Sequence, residues 1–145
     1  MLIEAPEWVT VIPLIEEPKG ERQFRHGSGE ITVEFPAGAV VTCEDPAAAA
    51  ARELLEDTGY VAAVLIHAGA VNPNPAFMTN RTHTFIARGL TQVAGQTLDT
   101  HERVEFAPVP EREVMGKMGI GEYGNGVMMI SLGFYRRWAE NVQGE

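Results

Sequence analysis

Apolar and polar positions along the chain alternate in short strand-like runs, interrupted by one helical stretch and closed by two more. Residues 8–15, "WVTVIPLI", are rich in β-branched and apolar types and predict a strand despite Pro13. "EEPKGE" follows and reads as a turn, from its proline and glycine. Residues 30–35, "EITVEF", alternate as a half-buried strand does and stop at Pro36 and Gly38. Three further strands are expected over 60–67, 81–88 and 102–109. Between the first two of these lies "AGAVNPNPAFMTN", a long loop with two prolines and three asparagines, and long loops in compact domains are often functional. "EREVMGKMG" and "GVMMISLGFYRRWAEN" predict two closing helices, the second apolar enough to pack on a sheet. Strands early and in the middle, with helices between and after them, predict an α/β (α+β) domain with a mixed sheet between helices.

The helical stretch is 46–58. Asp45 followed by Pro46 is a helix start, pairing a side-chain acceptor at the cap with a residue that has no N–H to satisfy, and Gly59 is a stop. At about 100° per residue, Ala49, Arg52, Glu53, Glu56 and Asp57 fall on one arc. Ala47, Ala48, Ala50, Ala51, Leu54 and Leu55 fall on the other. One face is therefore expected to be buried and the other to be nearly all charge. Three carboxylates at i,i+3 and i,i+4 spacing repel by about a few tenths of a kcal/mol per pair. A solvated face would alternate sign with lysine, and this one has only Arg52. A hard divalent cation among the oxygens would remove the repulsion, as magnesium does beside substrate phosphates. An acidic solvated face remains the simpler reading of the cluster taken alone.

Composition adds boundaries. The 145 residues suit one domain, 1–145, with 45% hydrophobic and 21% charged residues, close to the ordinary globular range. No apolar run approaches about 18 residues, and the start, "MLIEAPEW", has neither a basic nor an apolar segment, so a cytoplasmic protein without a membrane partner is expected. A formal net charge of -9 disfavours a nucleic acid polymer or an anionic membrane as partner. A phosphate substrate would then need divalent cations to reverse the local sign. The single cysteine, Cys43, excludes an internal disulfide and reads as a buried or merely tolerated thiol. His26, His67, His83 and His101 show no metal-ligand spacing, and His83, inside a strand pattern, reads as structural. Tyr60 and Phe35 read as core residues.

Spacing turns the charged helix into something more specific. Gly38, five residues, Glu44, seven residues, then Arg52, Glu53, Leu54, any residue, Glu56, an acid, any residue, Gly59 and an apolar Tyr60 reproduce the Nudix box, and the chain resembles the Nudix hydrolases. The resemblance implies a Nudix-type α/β/α sandwich and a pyrophosphohydrolase that depends on divalent metal, magnesium or alternatively manganese. It implies Glu53, Glu56 and Asp57 as metal ligands, with Gly38, where the loop starts, at the same metal site. Arg52 would orient a glutamate by charge-assisted hydrogen bonds, and Glu44 would be a loop acid that helps fix the site. Arg52, Glu53 and Glu56 are thus catalytic candidates. Asp57 departs from the family's usual glutamate, keeping the charge one methylene shorter.

The flanks "QFRHG", "EFPAG" and "NPNPAFMTNRTHTFIA" resemble the branch that cleaves ADP-ribose and related nucleoside diphosphate sugars. For ADP-ribose this implies AMP and ribose 5-phosphate as products. In that branch a loop glutamate beyond the box often acts as general base or extra metal ligand. "LDTHERVEF" holds the equivalent place, with Glu102 the candidate and Asp99 and Glu105 its competitors. Arg22 and Arg25 are candidates for phosphate or partner-subunit contacts, a surface role being equally compatible. The segment before "QFRHG" is a few residues shorter than the resemblance leads one to expect. That bears on the homodimer the family commonly forms, in which each chain contributes to the other's pocket. Two alternatives stay open: a Nudix-fold module that binds a nucleotide sugar without cleaving it, and a nucleoside triphosphate pyrophosphatase.

Overall fold

The structure is a computed structural model that describes residues 1–16, 22–28, 33–95 and 105–143, with the backbone alone described at 16, 22–28 and 105. Seven strands and three α-helices are present among the described residues: β1 (Trp8–Glu16), β2 (Arg22–Ser28), β3 (Val33–Glu34), β4 (Ala37–Ala39), α1 (Pro46–Thr58), β5 (Tyr60–Val71), β6 (Thr82–Gln92), β7 (Glu105–Pro110), α2 (Glu111–Lys117) and α3 (Gly126–Gln143), with a 3₁₀ turn at Gly121–Tyr123. Most of the turn expected at "EEPKGE" lies outside the described residues.

β1 is the hinge of the sheet. It runs parallel to β6 from Trp8↔Thr82 to Pro13↔Ala87, and β6 pairs antiparallel with β5. On its other edge β1 changes partner: Trp8–Thr10 pair with β4, and Leu14–Glu16 pair with β2. Pro13 falls in the gap between those two antiparallel partners, where a missing N–H costs the ladder least. β2 also carries β3 and β7. One parallel pair within an otherwise antiparallel set makes the sheet mixed, as the sequence pattern predicts.

Alternation along the central strands divides two cores. Val9, Val11, Phe85 and Ala87 face α1 and pack with Ala49, Ala50 and Leu54. Ile12, Leu14 and Ile86 face the other way and pack with Val114 of α2 and with Met128, Leu132, Tyr135 and Ala139 of α3. The α3 residues recur at helical spacing, so a single stripe covers the sheet. Sheet between helices, α1 on one face and α2 with α3 on the other, is the α/β/α arrangement. No described helix is long and apolar enough to cross a membrane.

Four local expectations are corrected. Of the strand expected over 30–35, Val33–Glu34 are strand, 30–32 lie outside the described residues, and Phe35 lies beyond the strand in the core, 4% exposed. β5 runs on to Val71, so "AGAV" is strand and the loop before β6 is shorter than its composition suggests. Glycine and alanine are weak strand formers, but pairing with β6 continues through a register shift between His67 and Gly69. Gly69 is required there because an added Cβ would lie 2.2 Å from the Phe134 ring of α3. Finally, Ala49 of the charged arc is fully buried, while Ala48, Ala51 and Leu55 of the apolar arc are exposed. The helix is packed from two directions, by the sheet and by β4 on its charged side. Tyr60 is half-buried against Phe106 rather than in the core. Cys43 is an exposed thiol at a positive φ of 66°.

Candidate functional site

Helix α1 starts and stops where its sequence indicates. Asp45 is extended and its carbonyl accepts from Ala49 N at 3.0 Å, with Pro46 in the first turn. Its side chain makes no capping bond, so the start is set by backbone and proline rather than by the carboxylate. Gly59 stops the helix in the left-handed region, φ 76°, and donates to Leu55 O at 2.8 Å. Burying Leu54 against the sheet, worth about 1.5–3 kcal/mol, holds the helix with its opposite side against β4 and the loop that follows.

On that side Arg52 organises the acids. Its Nε donates to Glu44 Oε2 at 2.9 Å and its Nη2 to Glu44 Oε1 at 2.9 Å, a two-pronged grip on one carboxylate. Nη2 also donates to the Ala39 carbonyl at 3.0 Å, and Nη1 to Glu53 Oε1 at 2.7 Å. Glu56 Oε2 stands 3.5 Å from Nη1. Glu44 Oε1 in turn accepts from Val41 N at 3.2 Å. One guanidinium thereby ties β4, the loop and two turns of α1 into a unit. The hydrogen bond from Arg52 holds the Glu44 carboxyl below its usual range, against a smaller opposing effect of burial. The same bond strengthens the hold of Arg52 on its proton.

Gly38 pairs with Val9 in the ladder and is buried under Glu53. A Cβ there would lie 2.0 Å from Glu53 Oε1, so the carboxylate occupies the space a side chain would take. Glu53 is thus confined between Gly38 and Arg52, its side chain 12% exposed, whereas that of Glu56 is 43% exposed. Asp57 is half-buried on the same helix. The structure brings Gly38, Glu44, Arg52, Glu53 and Glu56 together. Among the described residues no three or more histidine, cysteine, aspartate or glutamate side chains form a group able to hold a metal ion by themselves. A hard dication nevertheless fits this donor set, because magnesium commonly takes one or two carboxylates and completes its shell with water and substrate phosphates. One or two carboxylates drawn from Glu53, Glu56 and Asp57, with Glu56 the most open to solvent, would be the protein's share of any one ion.

The other candidates lie wholly or partly outside the described residues. Glu102 and Asp99 lie outside the described residues. Arg22 and Arg25 sit in β2, their backbones opposite Glu16 and Pro108, with side chains outside the description. Sequence reasoning missed the Ala39 carbonyl, since a backbone acceptor leaves no mark on composition. It also missed a contact of His83 with both Glu7 and His67. The two histidines are diagonal neighbours across β5 and β6, visible only once the register is known.

Comparison with known proteins adds a family. The NUDIX domain matches residues 8–122. The chain is 34% identical over 111 residues to an ADP-ribose pyrophosphatase of Bacillus subtilis (strain 168), covering 74% of this chain and 60% of that protein. It is 38% identical over 81 residues to an ADP-sugar pyrophosphatase of Mus musculus, covering 52% and 37% respectively. The chain thus spans less than two thirds of the length of these curated relatives. A crystal structure of an ADP compounds hydrolase superposes with a TM-score of 0.80 at 18% identity, covering 93% of this chain and 73% of that one, which establishes the shared fold.

Proposed function

The chain belongs to the Nudix domain family, and from that premise we propose that it hydrolyses the pyrophosphate bond of ADP-ribose or a related nucleoside diphosphate sugar, releasing a nucleoside monophosphate and a sugar phosphate. The observation that carries this reading is the lattice built by Arg52, which fixes Glu44 and Glu53 and leaves Glu56 facing solvent on the next turn. The likeness to proteins named ADP-ribose and ADP-sugar pyrophosphatase supports the substrate class.

Each part of the chain has a task in this reading. Glu44 and Arg52 are positioning residues: the pair holds the loop against the helix and sets the orientation of Glu53. Gly38 leaves room for the Glu53 carboxylate close to the backbone. Glu53, Glu56 and Asp57 would hold divalent metal, for which we propose magnesium. When bound, the metal supplies positive charge against the phosphates and lowers the cost of making a nucleophile from water. The acidic balance of the chain, -9, is then compatible with an anionic substrate. Glu102 remains our candidate for the base that takes the proton of the attacking water, and Arg22 and Arg25 for phosphate contacts. A homodimer belongs to the same proposal, and exposed Leu2, Ile3 and Phe77, where the N-terminal segment bridges to Met78, give apolar surface for it. A cytoplasmic setting suits the single exposed thiol.

The test is product analysis with ADP-ribose, other nucleoside diphosphate sugars and a deoxynucleoside triphosphate, with magnesium and with EDTA. AMP and ribose 5-phosphate released only with magnesium, and lost in Glu56→Gln, are expected. Nucleotide-sugar binding without turnover would replace this reading with that of a binding module. Free pyrophosphate from the triphosphate alone would make the protein a triphosphate pyrophosphatase.

A further inference from the structure

On the sheet face that carries α1, His83 follows the alternation of Phe85 and Ala87 along β6. Its Nε2 lies 2.8 Å from Glu7 Oε2, and its Nδ1 lies 3.1 Å from His67 Nε2 on β5. The His67 ring is itself backed by Phe85, centroids 4.9 Å apart. We propose that His67 and His83 form a binding site for a transition-metal dication of the zinc, nickel or copper class, with Glu7 as the carboxylate that orients His83.

The hydrogen-bonded separation of the two nitrogens also suits two ligands of one ion. With metal–nitrogen bonds of about 2.0–2.1 Å, two imidazole nitrogens stand about 2.9 Å apart at a right angle and about 3.3 Å apart at a tetrahedral angle. The observed 3.1 Å lies between these values. At the tetrahedral angle such an ion sets the two ring centroids about 5.2 Å apart, and at a right angle about 4.5 Å; here they are 5.3 Å apart, so the tetrahedral arrangement needs the rings to pivot but not to separate.

The hydrogen bonds already prepare one ligand. The Glu7 carboxylate only accepts, so His83 donates through Nε2–H, and in its neutral form it presents its Nδ1 lone pair to His67. A carboxylate on the far nitrogen of a metal-binding histidine fixes its tautomer and raises its basicity. His67, exposed, donates Nε2–H to that lone pair. Metal binding replaces this shared hydrogen: His67 moves its proton from Nε2 to Nδ1 by exchange with solvent, and no net proton is released from the neutral pair. Since no third histidine, cysteine or acid completes the set among the described residues, water fills the remaining positions.

The test is calorimetric titration of the full chain with Zn²⁺ in excess Mg²⁺, which keeps hard-oxygen sites occupied. One Zn²⁺ per chain is expected, its affinity lowered tenfold or more in His67→Gln, about tenfold in Glu7→Gln, and unchanged in Glu56→Gln. His67 is exposed, so its variant keeps the fold. With Cu²⁺ in place of Zn²⁺, electron paramagnetic resonance should show nitrogen couplings from two imidazoles, reduced to one in His67→Gln. Wild-type zinc affinity in both His67→Gln and His83→Gln, or loss of zinc binding in Glu56→Gln, would overturn the assignment.

Discussion

Replacing Gly38 by alanine separates positioning from stability at the site. The backbone at Gly38 lies outside the left-handed region, so alanine meets no conformational penalty there, and the obstacle is Glu53. The new Cβ would lie 2.0 Å from Oε1, 2.2 Å from Cδ and 2.7 Å from Oε2, and contacts under 3.0 Å force a shift. Glu53 must therefore retreat by about 1 Å, away from a bond to Arg52 that is 2.7 Å long. The yielding group is a side chain, which keeps the cost in stability modest. Loss of a partly solvated ion pair and residual crowding come to about 1–2 kcal/mol, or about 3–6 °C in Tm. A displacement of that size in a group that must be placed accurately costs about 10²-fold in rate. The assay is kcat/KM for magnesium-dependent ADP-ribose hydrolysis, alongside thermal unfolding followed by circular dichroism. Gly69→Ala is the control, because its Cβ would strike Phe134 at 2.2 Å, a clash of similar depth on the opposite side of the sheet. It should lower Tm at least as much and leave kcat/KM of the folded protein within about twofold. A Gly38→Ala protein whose kcat/KM stays within about threefold of wild type would refute the idea that this confinement positions Glu53.

Acid titration and buried hydroxyls give two further expectations. Glu44 has its folded pKa depressed by Arg52, so its contribution to stability is present above the ordinary carboxylate value of 4.5 and is lost as pH falls through the depressed folded value. Tm measured from neutral pH down through that window should fall less steeply in Glu44→Gln than in wild type, and equal slopes would count against the coupling. In the α3 core, Thr84 Oγ1 and Ser131 Oγ share a buried hydrogen bond of 2.8 Å. Thr84→Val, by removing Ser131's partner, should cost about 1–3 kcal/mol in chemical denaturation, and Thr84→Val with Ser131→Ala should recover most of it. A double variant no more stable than the single one would show that the pair is not what is being measured.

Local signals were enough for the part of the molecule that carries the proposed chemistry. Proline at the start of α1 and glycine at its end act on their own backbone, and the spacing of Gly38, Glu44, Arg52, Glu53 and Glu56 survives any arrangement of the other strands. The alternation of apolar residues likewise marks β1 and β6, because period two is a property of the strand itself. Tertiary structure decided what depends on residues distant in sequence. β4 is three residues of alanine and glycine that form a strand only because β1 offers an edge, and the end of β5 is strand only because β6 continues beside it. Ala49 is buried in the core between α1 and the strands of Val9, Val11 and Phe85, which no helical wheel can register. The contact of Glu7 with His83 spans 76 residues, and that of His83 with His67 depends on the register that sets His67 opposite Phe85. Motif and periodicity are written in neighbouring residues, whereas register, closure and cross-strand contacts belong to the packing of the whole chain.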